Sequence, residues 1–320
     1  MPAFDHAFDW VRRHVDSGAL PTAVLGIATA EGVVALDAFG GASVDDHYPV
    51  FSVTKPIVGL AALRLVEQGR LTPETPLTAA VPEFGVGRDD VVRLRHLASH
   101  TSGIIEPPME APAGLRPSLL VGGRDFAAGT VSRYSTITFE GIAALIEHAS
   151  GAPWERAVAE IGERAGASGF TFDADASPHA PVDSAAQGVD YERFAAVRHP
   201  GAGLLARASD VLAVGSALLR NDGSLVTPLA AEAMLRPLTA GLPKLEPYRA
   251  ERGQDWGFTF NLRTRAPGLI DRDVYGHAGW AGTEFWVHPT AGIAYVLLTN
   301  AAERPGVDVD ELDNAVVTGV

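Results

Sequence analysis

The chain contains no cysteine. That single absence excludes disulfides, thiolate metal sites and cysteine nucleophiles. Basic residues are also scarce: 25 Lys and Arg stand against 39 Asp and Glu, a formal net charge of −14. So acidic a chain disfavours nucleic acid and anionic membranes as partners. No run approaches the roughly 18 apolar residues that a membrane span requires. The opening stretch, Met1 to Gly18, mixes Asp, His and Arg among its apolar residues, so it reads as an amphipathic helix and not as a secretory signal. The expectation is a cytoplasmic protein with no membrane partner. What remains is ordinary for a globular chain: 320 residues, 47% hydrophobic and 20% charged, with room for one large domain or two lobes and no internal repeat.

Two apolar, β-prone runs, Thr22 to Thr29 and Val33 to Phe39, flank Ala30-Glu31-Gly32 and predict a hairpin. Apolar residues at helical spacing over Ile57 to Gln68 predict a buried helix carrying Lys55 at its start and ending at Gly69. Pro56 is awkward there. If Ser52 is the N-cap, the missing N–H leaves the Ser52 carbonyl without its helical partner. From Leu71 to Ser209 the chain is rich in Pro, Gly and Ala, with helices predicted at Thr138 to Ala149 and Pro153 to Ala165. Segments 104–125 and 173–190 carry no periodicity and read as loops. Strands return at Trp256 to Arg263, Val274 to Ala278, Thr283 to His288 and Ile293 to Thr299, before a closing helix marked by Val309, Leu312 and Val316. The pattern predicts an α+β fold. Its antiparallel sheet is built from the N- and C-terminal segments (1–70 plus 205–320) and flanked by helices, with a mainly helical lobe inserted at 71–204.

Ser52-Val53-Thr54-Lys55 places a hydroxyl and an amine on one face of a helical turn, because residues three apart are neighbours there. A serine hydroxyl attacks only when a nearby group takes its proton, and a lysine does so only where its surroundings keep it from permanent protonation. The plain alternative is an N-cap serine followed by a solvated lysine. Further along, Arg133-Tyr134-Ser135-Thr136 lies between a loop and a helix, and His277-Ala278-Gly279 lies at a strand end. In this order the three motifs resemble those of the serine β-lactamase-like family, which includes class C β-lactamases, D-alanyl-D-alanine peptidases and related esterases. The resemblance extends to the stretches around Phe51–Pro56, Val91–Gly103, Gly201–Asp210 and Gly276–Pro289, and covers residues from about 20 to 300.

The resemblance implies an acyl-enzyme on Ser52. Lys55 and Tyr134 would share the proton transfers, and the backbone N–H groups of Ser52 and Trp280 would hold the oxyanion. His277, Gly279 and Thr136 are implied to meet the substrate. No metal or cofactor is implied, and the expected partner is a small-molecule acyl substrate. Departures narrow the chemistry. Thr136 stands where amide-processing relatives usually have Asn, and Thr has less reach and one donor. His277, Ala278 and Trp280 replace the Lys and the hydroxyls that help β-lactam-binding members hold a carboxylate. No Glu lies in an E-x-x-L-N setting. These departures favour esters or thioesters over β-lactams. The alternatives are acyl transfer to an alcohol or amine, weak β-lactamase or D-amino-acid peptidase activity, and a non-catalytic binding relative.

Other residues invite plainer readings. His96 and His100 are four apart, yet no Glu follows His96 and no third metal ligand is evident. Ser102 sits in His-Thr-Ser-Gly, which is not a nucleophile elbow. Of Trp280, Phe285 and Trp286, at least one is expected in the core.

Overall fold

A computed structural model describes residues 3–121, 123–245, 254–265 and 268–320. Met1 and Pro2 of the predicted first helix, and Gly122 of the predicted 104–125 loop, lie outside the described residues.

Helix α1 (Asp5–Asp16) leads into strands β1 (Ala23–Thr29) and β2 (Gly32–Phe39), the expected hairpin. Short β3 (Tyr48–Pro49) and a 3-10 turn at Phe51–Val53 precede α2 (Thr54–Glu67). Helices α3 (Leu94–Ala98), α4 (Leu115–Val121), α5 (Thr138–Ser150), α6 (Trp154–Ala165) and α7 (Tyr191–Ala196) follow. Strand β4 (Leu205–Ala206) pairs with β3, and α8 (Ala208–Arg220) and α9 (Pro228–Met234) end the helical stretch. The chain closes with β5 (Gln254–Trp256), β6 (Asn261–Arg263), β7 (Tyr275–Ala278), β8 (Glu284–His288), β9 (Ile293–Thr299) and α10 (Val309–Val317).

Seven strands form one antiparallel sheet in the order β2-β1-β9-β8-β7-β6-β5. The β1·β9 pairing, Ala23 opposite Thr299 through Ala28 opposite Ala294, joins the two ends of the chain. Every residue of β9 is buried, because both faces of the sheet are covered. Ala294, Val296 and Leu298 point into the larger core with α2 and α8, whereas Ile293, Tyr295 and Leu297 meet Trp10 of α1 and Leu312 of α10. Alternation of side chains across the strand explains why a continuous apolar run serves here.

Three local expectations change. The run Trp256 to Arg263 is two strands folded into a hairpin, with Trp256 opposite Asn261. The bend is fixed by bonds leaving the sheet, Phe258 N–H to Met234 O (2.7 Å) and Thr259 N–H to Ala98 O (2.9 Å), and Thr259 adopts φ 65°. The 104–125 segment holds α4, whose buried Ser118 and Leu119 pack inward without a long apolar stripe. Ser52 is not an N-cap but the middle of the 3-10 turn, so Pro56 falls in the first turn of α2, where an N–H has no obligatory helical partner.

Candidate active site

Helix α2 is apolar all round and buried along most of its length, as expected of a helix surrounded by protein. Lys55 is carried into this interior and is fully buried. Its Nζ lies 2.9 Å from Ser52 Oγ, 2.8 Å from Gly201 O and 3.3 Å from Thr136 Oγ1. Burial, opposed by the charge of Glu106, brings its pKa down to about 7.

Ser52 is set up by the backbone before it. Phe51 holds φ 45°, a left-handed conformation that costs a non-glycine residue energy and is retained only where packing enforces it. Here the Phe51 ring is wedged 5.3 Å from both Phe194 and Trp280. The hydroxyl of Tyr134 donates to Ser52 Oγ at 2.6 Å, and its ring lies 4.7 Å beneath Lys55 Nζ. The structure therefore brings Ser52, Lys55, Tyr134 and Thr136 into one hydrogen-bonded cluster.

The turn between β7 and β8 completes the wall. Thr283 Oγ1 donates to Val50 O (3.0 Å), and Gly279 N–H donates to Thr283 O (2.7 Å). A Cβ on Gly279 would overlap Thr283 Oγ1 and approach Val50 O to 2.6 Å. Only glycine allows so close an approach. Trp280 consequently begins from backbone that adjoins Ser52. His277 is 4% exposed, with its ring 5.9 Å from that of Tyr134 and 5.3 Å from that of Trp256. Burial, reinforced by the Lys55 charge, lowers its pKa to about 3, so the imidazole is neutral.

A cavity of about 550 Å³ opens over Ser52, lined by Tyr134, Thr136, Trp256, His277 and Trp280 and extending to Asn261, Glu284 and Trp286. Of the aromatic trio, Phe285 and Trp286 are both buried in the core, Trp286 also bordering the cavity, and Trp280 is the half-buried member that faces it. His96 and His100 do not form a pair. His96 Nδ1 accepts from Arg93 N–H at the start of α3, and His100, at φ 57°, holds the tyrosine segment through Nδ1, 3.0 Å from Ser135 O and 3.1 Å from Ser135 N. Ser102 Oγ accepts from Ile104 N–H within its own loop.

Glu106 escaped the sequence reading. Although the residue reaches the surface, its carboxylate turns inward, where Oε2 accepts from Ser135 Oγ (2.8 Å), Thr136 N–H (2.7 Å) and Ile137 N–H (3.1 Å). It thereby satisfies backbone donors at the start of α5 and places a negative charge at the positive end of the helix. Burial raises its pKa against these bonds and the charge of Lys55. No local pattern betrays it, because its partners lie some thirty residues away.

Residues 8–319 match the Beta-lactamase family. Esterase EstB from Burkholderia gladioli is 29% identical over 318 residues, spanning 81% of this chain and 78% of its own. Among solved structures, EstCE1, described as a hydrolase with promiscuous acyltransferase activity, shares the fold with a TM-score of 0.80 at 20% identity, over 98% of this chain and 97% of its own. The LovD6 mutant of simvastatin synthase from Aspergillus terreus gives 0.78 at 17% identity, over 98% and 93%. The fold matches the α+β expectation of an antiparallel sheet from both ends of the chain with a helical insertion. The chain belongs to the beta-lactamase family of serine hydrolases.

Proposed function

We propose that the protein is an esterase that cleaves small-molecule esters or thioesters through an acyl-enzyme on Ser52. The observation that carries this reading is the double contact on Ser52 Oγ, from Lys55 Nζ at 2.9 Å and Tyr134 Oη at 2.6 Å.

An ammonium has three donors, and Lys55 has three acceptors around it. Once one proton leaves, two N–H groups stay on Gly201 O and Thr136 Oγ1 and the lone pair faces Ser52 Oγ. With its pKa near 7, the amine reaches that state at neutral pH. Lys55 then takes the serine proton as Oγ bonds to the carbonyl carbon. The resulting oxyanion is held by the N–H groups of Ser52 and Trp280. Collapse breaks the bond to the leaving oxygen or sulfur, which receives a proton from Tyr134, itself reprotonated from Lys55. Water repeats the sequence on the acyl-enzyme and restores Ser52.

Esters are favoured over β-lactams because the wall where a substrate carboxylate would sit holds a neutral His277 and Ala278, neither of which supplies a positive charge. EstB, itself named an esterase, supports the same choice. An alcohol or amine in place of water would turn the same intermediate to acyl transfer, and product analysis with added acceptors separates the two outcomes. The test of the reading is cleavage of short p-nitrophenyl esters, with intact-mass detection of a fluorophosphonate adduct on Ser52. Ser52→Ala should lose both signals, and retention of ester cleavage by that variant would overturn the assignment.

A further inference from the structure

Beyond Ser52 the wall of the cavity holds two buried acceptors that no described residue answers. His277 Nδ1 lies 2.6 Å from Ala278 O. A carbonyl only accepts, so Nδ1 carries the hydrogen and Nε2 of the neutral ring is left as a bare lone pair. Nε2 is buried and has no hydrogen-bond partner among the described residues. The same holds for Oδ1 of Asn261, which is also 4% exposed and lines the same cavity from β6. Buried polar atoms in folded proteins are nearly always paired, so two unanswered acceptors on one cavity wall are places where a donor from solvent or from a bound molecule completes the pairing.

Among the described lining residues, carboxylates outnumber cations two to one. Glu284 and Asp308 line the cavity with carboxylates. Arg304 is the one cation among the described lining residues, and its Nη1 is engaged by Ala301 O (2.8 Å) and Ala302 O (3.4 Å). A substrate carboxylate beside His277 and Asn261 would meet lone pairs and a net negative lining, whereas a hydroxyl or an ammonium would find acceptors there. The His277 ring lies 5.9 Å from that of Tyr134, whose hydroxyl contacts Ser52 Oγ.

We propose that this cavity selects acyl groups bearing an N–H or O–H donor on the first or second carbon beyond the scissile carbonyl, and rejects acyl groups with a carboxylate there. The proposal rests on Ser52 as the attacking residue. Hydroxyacyl and aminoacyl esters share the donor chemistry, and the substrate series distinguishes them.

The test compares ethyl esters of butanoate, 3-hydroxybutanoate, 3-aminobutanoate and 3-methoxybutanoate with monoethyl succinate, following released acid. The hydroxy or amino ester, or both, should exceed butanoate and the methoxy ester in kcat/KM by about tenfold or more. Monoethyl succinate should fall below butanoate. His277→Lys, which replaces a lone pair with a donor, should move the preference toward monoethyl succinate. Equal rates across the series, or monoethyl succinate as the best substrate of the unaltered enzyme, would overturn the proposal. Ser52→Ala provides a measure independent of turnover: calorimetric affinities of that variant should keep the same order. Equal affinities there defeat the donor proposal even if the native enzyme cleaves esters, and the expected order sustains it even if it does not.

Discussion

Gly279→Ala probes whether the β7–β8 turn must touch the backbone before Ser52. The added methyl overlaps Thr283 Oγ1 and stands 2.6 Å from Val50 O and 3.3 Å from Phe51 Cβ. Turning Thr283 away breaks its hydroxyl's bond to Val50 O, about 0.5–1.5 kcal/mol net, and still leaves the methyl 2.6 Å from that oxygen. Val50 O cannot retreat, since it belongs to the segment that holds Phe51 at φ 45°. The turn itself must therefore move, carrying Trp280 N–H away from Ser52. Loss of one oxyanion donor costs about 10² to 10³ in kcat, or roughly 2.7–4 kcal/mol. Overpacking of this kind costs about 1–3 kcal/mol of stability. Steady-state kinetics on a p-nitrophenyl ester should show kcat reduced by that factor, with KM changed far less, while a thermal melt shows the protein folded. Adding Thr283→Ala removes the worst overlap but leaves Val50 O in place, so rescue should be partial. A kcat within about threefold of the native value in folded Gly279→Ala would refute the role given to this turn.

Three further outcomes follow from Lys55 and Glu106. With Lys55 as base and its pKa near 7, kcat/KM should rise with pH through about 7 as the amine loses its proton. His277 and His199, both lowered to about 3, and His100, lowered well below its usual value, stay neutral across that range, while the Glu106 carboxylate opposes the fall of the Lys55 pKa. A pH–rate profile that is flat from pH 5.5 to 9 would exclude Lys55 as the titrating base. Glu106→Gln removes the charge that favours the ammonium, so the acid limb should move to lower pH. Glu106→Ala leaves Ser135 Oγ and the N–H groups of Thr136 and Ile137 without their acceptor and should also lower kcat about tenfold or more, through misplacement of the tyrosine segment. An unmoved limb in Glu106→Gln would show that Lys55 does not sense this carboxylate.

Much of the fold was legible because it is periodic. Strands β1, β2 and β9 lie where apolar, β-prone runs put them, and helices α5, α6 and α10 where helical segments were read. The β5–β6 hairpin was not, because the bend at 257–260 is imposed by carbonyls of Met234 and Ala98, distant in sequence, on residues that are individually β-prone. Ser52, Lys55, Tyr134 and Thr136 could be picked out since each stands in a short motif, and the structure places them in mutual contact. Glu106 and Asn261 lie in no motif. The first acts on backbone groups thirty residues on, and the second matters through what it fails to bond.

The proton relay and the acyl cavity are held by different parts of the chain, and this has a consequence for how the site can change. Ser52, Lys55 and Tyr134 depend on α2, the Gly201 carbonyl and the Glu106-bound start of α5. His277 depends on β7, paired with β8 through Phe285 and bonded back onto its own strand at Ala278 O, and it meets the relay through ring contacts and the charge of Lys55, with no hydrogen bond to it among the described residues. Substitutions at His277 or Asn261 therefore alter what the cavity will accept without removing a bond from Ser52 Oγ. Substitutions at Glu106 do the reverse, because they loosen the segment that carries Tyr134 and Thr136 while leaving the acceptors of the cavity in place. Substrate preference and catalytic competence are thus separable in this site, and kcat/KM ratios between substrates should respond to the β6–β7 residues while the pH dependence responds to the α2–α5 residues.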